Sequence, residues 1–237
     1  MASCGFVGKG KVYLDGRFVF NASALNIGIT EEKLEQSNYT TGGGGNCAVV
    51  RRIDAVEMSL TMTSYDAENL AVAVFGTSAA ETVTPIVGES QTTPSVLDAD
   101  TLIVTDKVID VSVTPTVDSY VEGTDFTVSP AGITVLAAGT IPVDTALSIG
   151  YTPLGANVVQ ALVSSPATYT VTFDGLNEAD SGASVVIKAF KVQFGPTEDL
   201  AFIADDFAEL AITGDILLDD TIVGAGLSQY FTITAAT

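Results

Sequence analysis

From residue 56 to residue 63 the chain alternates without a break. Val56, Met58, Leu60 and Met62 are apolar, while Glu57, Ser59, Thr61 and Thr63 are polar. Successive side chains of a strand point to opposite faces, so a period of two commits this segment to a half-buried β-strand. A helix would scatter the same apolar set around its girth. A strand with one apolar face needs a sheet around it and a second layer over it.

Other segments supply that sheet. Lys11-Val12-Tyr13-Leu14 and Arg17-Phe18-Val19-Phe20 flank Asp15-Gly16. Asp-Gly suits a two-residue turn with positive φ at both central positions, so a hairpin is expected. Tyr169, Val171 and Phe173 alternate with threonines and end at Asp174-Gly175, which reads as a strand and its terminus. Further strands are expected over 185–194, 212–218 and 230–234. One helix is expected over 66–75, capped by Ser64 or Asp66. It places Leu70, Ala71 and Val74 on one face, acids in the first turn, and Gly76 at the C′ position.

Two stretches interrupt this pattern. Residues 31–45 are polar and end in Gly42-Gly43-Gly44-Gly45, which reads as a long mobile loop or extended arm, with Arg51 and Arg52 close behind. Residues 77–101, rich in Thr, Ser, Pro and Gly, read as a linker. Beyond them, short strands are expected at 102–104, 108–113, 126–128, 133–136 and 147–151, punctuated by Pro115, Pro130, Pro142 and Pro153. The whole predicts a mainly β protein. Two packed β-sheets form a sandwich or barrel from 1–95 and 166–237, with one flanking α-helix, a long loop near the N-terminal third and an inserted β meander over 96–165.

Charge narrows the partners. The net charge is −20, and charged residues are 16% of the chain against about 25% in ordinary domains. So few charges point to surface buried against neighbours, because contiguous apolar patches mark interfaces. Residues 1–52 hold six of the nine basic residues (Lys9, Lys11, Arg17, Lys33, Arg51 and Arg52) and sum to +2, leaving −22 for the remainder. Such segregation suits docking of one subunit's end on the acidic face of the next, although acidity also serves solubility. Nucleic-acid binding by attraction needs basic patches and is not expected, but an acidic channel would let DNA slide.

Several chemistries are not expected. The chain has no His, the side chain that titrates near neutrality and the commonest zinc nitrogen ligand. Asp205-Asp206 and Asp219-Asp220 read as solvated turn residues rather than acid/base pairs. Asp98, Asp100 and Asp106 lack the glycine and terminal glutamate of a calcium loop. Gly8-Lys9-Gly10 and the glycine run at 42–45 lack the context of a phosphate loop. Cys4 and Cys47 form neither a metal-spaced pair nor a disulfide framework, and are expected to be free thiols. Residues 1–11 lack the apolar core of a secretory signal, so synthesis in a reducing cytoplasm is expected, and Asn38-Tyr39-Thr40 is then an idle glycosylation sequon. No stretch approaches the length of a membrane helix. No catalysis, cofactor or metal is expected.

Several stretches in order resemble the major tail tube proteins of long-tailed (siphovirus-like) bacteriophages. They are Gly8-Lys9-Gly10-Lys11-Val12-Tyr13-Leu14; Asp66-Ala67-Glu68-Asn69-Leu70-Ala71, ending Phe75-Gly76; Tyr169-Thr170-Val171-Thr172-Phe173-Asp174-Gly175-Leu176-Asn177-Glu178-Ala179; and Asp205-Asp206-Phe207-Ala208-Glu209-Leu210. Tyr120-Val121-Glu122-Gly123-Thr124-Asp125-Phe126-Thr127-Val128, with Gly132-Ile133 and Ile149-Gly150-Tyr151, is similar to a β module common in phage tail proteins. The resemblance implies a virion protein made in the host bacterial cytoplasm. Its hexameric rings would stack into a tube that conducts DNA without binding it specifically. Implied partners are further copies of itself, a tape-measure protein, a tail terminator and distal tail or baseplate proteins. A loop matching residues 31–50 would contact adjacent rings. Expected contacts between subunits or rings are Lys9, Lys11, Glu31, Glu32, Lys33, Tyr39, Arg51 and Arg52. A β-rich virion decoration or surface-adhesion protein is the alternative. A carbohydrate-active enzyme fits less well, since the chain lacks Trp as well as His.

Overall fold

The structure is a computed structural model that describes residues 5–40, 42–98 and 100–236. Cys4 lies outside the described residues. The protein is mainly β, built of antiparallel sheets with one α-helix among the described residues and no closed barrel. The chain divides into two compact units: one runs to Ser78 and resumes at Val159, the other is Ala79–Val158. The inserted unit thus starts and ends earlier than the proline punctuation at 96–165 suggests.

The first unit begins with β1 (Gly8–Leu14) and β2 (Arg17–Phe18), paired as Leu14↔Arg17 and Tyr13↔Phe18. Asp15 and Gly16 between them have φ of 48° and 82°, the mirror-image turn expected of Asp-Gly. Two long strands follow, β3 (Ala22–Ser37) and β4 (Asn46–Met62), then α1 (Ala67–Ala73). Next come β5 (Thr77–Ala80) and, after the inserted unit, β12 (Asn157–Gln160), which pair with each other. The unit closes with β13 (Thr168–Asn177), β14 (Ala183–Phe194), β15 (Leu210–Ile216) and β16 (Phe231–Ala235).

The sheet order is β2-β1-β13-β14-β15-β4-β3, with β16 also on β14. One edge of β14 carries β13 along its length. The other carries β16 at residues 185–189 and β15 at residues 192–194. The sheet forks there, and its two halves share one core. Val12, Leu14, Val171 and Ala189 come from one side, and Val56, Met58, Leu60, Met62, Leu210 and Ile212 from the other. The alternation at 56–62 is therefore the core face of β4.

The helix is shorter than expected. Asp66 is the N-cap, accepting from the backbone N–H groups of Glu68 and Asn69. Ala71 is buried and Leu70 packs partly buried on the core as expected, Asn69 and Ala73 are buried beside them, and Val74 is the C-cap. Gly76 is also not the C′ residue: Phe75 takes the left-handed conformation (φ 50°), and the Gly76 N–H reaches Ala71 O at 2.7 Å. Glycine is needed at 76 for space, since a Cβ would strike the carbonyl of Gln160.

Asp174-Gly175 does not end its strand. β13 continues through it to Asn177, and the chain turns instead at Ser181 and Gly182, both with positive φ. Gly175 pairs with Gly10 across β1, where a Cβ on Gly10 would collide with the Asp174–Gly175 backbone. Close backbone approach, not turn chemistry, accounts for that glycine.

The inserted unit packs two three-stranded sheets. β6 (Ile86–Thr92), β11 (Ala146–Tyr151) and β8 (Thr116–Val117) form one. The other is β7 (Leu102–Val104), β10 (Gly132–Val135) and β9 (Phe126–Ser129). Val117, Leu147, Ile149 and Tyr151 meet Ile103, Phe126, Ile133 and Val135 in its core. β5 and β6 occupy what reads as a linker in the sequence. Conversely, 108–113 is not a strand beyond a single bridge between Ile109 and Pro153. Asp110 accepts from both the N–H and hydroxyl of Ser112, a local turn that competes with the ladder. Buried Asp125 ties the unit's loops together, accepting from the N–H groups of Val121 and Thr140 and the Thr140 hydroxyl. Those bonds hold its carboxyl below the usual range, the Val121 N–H contributing most.

Candidate functional site: the projecting arm

The segment read as a mobile loop is a β-hairpin. β3 runs on to Ser37 and β4 resumes at Asn46, so only residues 38–45 form the tip. The ladder is continuous: Glu32 opposes Arg52, Lys33 opposes Arg51, Leu34 opposes Val50 and Glu35 opposes Val49. Two bulges interrupt it within the arm, with Asp54 and Cys47 as the extra residues, and a third lies near its base at Ser23. At the first, Thr30 Oγ1 accepts from Ala55 N at 3.1 Å. At the tip the Asn38 side chain accepts from the N–H and hydroxyl of Thr40, and the Asn38 N–H bonds Gly45 O at 2.7 Å. Gly44 and Gly45 have positive φ, so those glycines make the return rather than a flexible tether.

β15 pairs β4 only over residues 57–62, leaving the outer part of β4 bonded to β3 alone. Residues 28–37 and 46–54 are exposed throughout. Residues 29–37, at roughly 3.3 Å each, carry this arm about 30 Å outward.

Alternation sorts the arm's side chains into two faces. Glu31, Lys33 and Glu35 share one with Ile53, Arg51 and Val49, while Glu32, Leu34 and Gln36 share the other with Arg52, Val50 and Ala48. On the first face Arg51 pairs with Glu31 diagonally across the strands, and Lys33 pairs with Glu35. The Lys33 hydrogen bond, then that of Asn46, holds the Glu35 carboxyl below its ordinary range. On the second face Arg52 has no ion pair among the described residues. Ile29, Ile53, Val49, Leu34 and Val50 all stand exposed along the arm.

The structure thus brings Glu31, Glu32, Lys33, Arg51 and Arg52 together on the arm, with Tyr39 at its tip and 92% exposed. Lys9 and Lys11 lie on β1 instead. Lys9 sits 2.9 Å from the Glu178 carboxylate, and the Lys11 ammonium lies 5.5 Å above the Phe18 ring. Within the chain, Glu31 engages Arg51. Charge-based reading missed the apolar members Leu34, Val49, Val50 and Ile53. The run Ala48-Val49-Val50 beside a glycine turn was the available signal.

Elsewhere, a cavity of about 670 Å³ opens between β1 and β3, lined by Phe6, Val12, Leu25, Phe173 and Ile187 with Lys9 at its edge. Among the described residues no three His, Cys, Asp or Glu side chains converge as a metal site. Asp206 and Asp219 bond the N–H groups of Phe207 and Thr221 as turn residues. Cys47 is a free, exposed thiol. No helix among the described residues is long and apolar enough to cross a membrane.

The family model described as protein of unknown function UCP028589 matches residues 5–234, and the chain belongs to that family. No curated protein matches the chain.

Proposed function

We propose that this chain is a self-assembling structural subunit, forming stacked hexameric rings that make the tail tube of a long-tailed phage and conduct its DNA. One observation carries the self-assembly: the two-stranded arm with apolar residues exposed on both faces and no third strand. A two-stranded ribbon is marginal in water by itself, and open strand edges invite pairing. Exposed Leu34, Val50, Ile53 and Val49 give a neighbour apolar surface to cover, and the arm's free edges give it backbone groups to bond. The tube, its hexameric rings and its tape-measure, terminator and distal-tail partners rest on the family resemblance of the sequence. The acidic body supports the conduit role, since carboxylates repel phosphates over about 8 Å at physiological salt.

The test is sedimentation velocity over a concentration series, comparing the full chain with a variant whose residues 31–53 are replaced by Asn-Gly. The full chain assembles and the shortened chain remains a folded monomer. Equal assembly by both would remove the arm from the account.

A further inference from the structure

A second surface of the first unit also exposes bulky apolar side chains. The connection from β14 to β15 is pinned at both ends. Leu200 packs on the core, Thr197 N donates to Ala73 O at 2.8 Å, the Tyr65 hydroxyl donates to Glu209 O at 3.1 Å, and Leu210 is buried. Between these anchors Phe202, Ile203 and Phe207 are 77%, 98% and 91% exposed. The same stretch carries Glu198, Asp199, Asp205, Asp206 and Glu209 and no Lys or Arg. It is an apolar surface set in negative charge.

The arm offers its complement. Arg52 has no ion pair among the described residues, and it shares a face with exposed Leu34 and Val50 and with Glu32 opposite it. The cations of the opposite face, Arg51 and Lys33, are already engaged. Leu34 and Val50 beside Arg52, a cation that opposes Glu32 across the strands without an ion pair to it, match apolar side chains beside carboxylates, the pattern that steers and registers protein partners. Within one chain both surfaces stay exposed, so the match is made between chains. An arm of about 30 Å outreaches the roughly 15 Å radius of gyration of a folded unit this size, so it can span to a neighbour.

We infer that residues 198–209 of one copy dock on the Leu34, Val50 and Arg52 face of a second copy's arm. Phe202, Ile203 and Phe207 cover Leu34 and Val50, and Asp205 and Asp206 meet Arg52. This rests on the self-assembly reading above and names the contact that reading needs.

A charge exchange tests it. Four full-length proteins are compared by sedimentation velocity and negative-stain microscopy: the native chain, R52E, D205K/D206K, and the combination. All three positions are exposed, so circular dichroism and thermal unfolding remain native. Each reversal raises the concentration for half-assembly by at least about tenfold, and the combination returns it to within about threefold of native. A combination no better than its parents, or either parent assembling normally, overturns the docking. Tubes from the native chain in that case keep the ring-and-tube reading and discard only this contact. Rescue into oligomers that never stack does the reverse. A native chain that stays monomeric at every concentration overturns both. F202S/F207S is the uncharged check: native unfolding with assembly lost supports the contact, and undiminished assembly contradicts it.

Discussion

β4 is one strand in two environments. From Glu57 to Met62 it lies between β3 and β15, and from Val56 on its even-numbered side chains are buried. From Asn46 to Asp54 it touches only β3, and every residue is exposed. The ladder with β3 runs along both halves, and the inner half adds a second ladder with β15. What changes with it is burial, which stabilises by about 25 cal/mol per Å² of apolar surface. The inner half holds the fold together, whereas the outer half draws on surface ion pairs and, in our account, on a second copy.

The largest expected effect breaks the inner half. Leu60→Ala, at a position with no exposure, leaves a cavity and lowers stability by roughly 2–5 kcal/mol in urea unfolding of the monomer. The matched change on the arm, Leu34→Ser with Val50→Ser, shifts monomer stability by no more than about 0.5 kcal/mol while abolishing assembly. Comparable losses of stability from both would show that the arm is part of the core after all.

The inserted unit extends the contrast to polar contacts. The Tyr151 hydroxyl donates to Glu89 at 2.5 Å, and Glu89 also accepts from Gln91 Nε2 and the Asp106 N–H. Burial opposes ionisation of Glu89, but those three bonds outweigh it and leave the carboxyl below its ordinary value of 4.5. Burial, then the Glu89 hydrogen bond, pushes Tyr151 up to about 12. Tyr151→Phe costs about 1.5–3 kcal/mol of that unit's stability, because a bond to a charged acceptor is lost. The sign of the pH dependence follows. Glu89's contribution is present above 4.5 and fades as pH falls through its lower folded value. That of Tyr151 is full below about 10 and fades as pH rises through about 12. Unfolding melts from acid to alkaline pH check both limbs, and Tyr151→Phe flattens the alkaline one.

Glycines sharpen the comparison further. A Cβ on Gly10 meets the backbone of β13, so Gly10→Ala destabilises by about 1–3 kcal/mol. Gly28, where the arm begins, has nothing within 4 Å of a Cβ, and Gly28→Ala stabilises by up to about 1 kcal/mol through lost chain entropy. The smallest effect is Arg51→Ala: its exposed pair with Glu31 contributes under about 1 kcal/mol, and its loss disappears in high salt.

The same contrast explains what was legible in the sequence. Val56, Met58, Leu60 and Met62 were readable because burial imposes the period of two. Asp15-Gly16 was readable because its turn is local. The arm carries no such imprint: with both faces in solvent, Glu31, Glu32, Lys33 and Glu35 have no reason to alternate with apolar residues, so the strand looked like a loop. Its order comes from cross-strand register, which only the pairing of Lys33 with Arg51 and Leu34 with Val50 reveals. Asp174-Gly175 misled for a related reason, since a close neighbour strand demands glycine as firmly as a turn does. At the candidate site the charged residues were found by charge. Leu34, Phe202, Ile203 and Phe207 were not, because no local pattern marks them as exposed, and for Val50 the only signal was the apolar run beside the glycine turn.

Electron microscopy of the purified full chain, taken through a concentration series at moderate salt, tests the central claim most directly. The account predicts rings that stack into tubes, with density bridging neighbouring subunits along the arm. Folded, monodisperse monomers at every concentration, with the arm free in solvent, would contradict it.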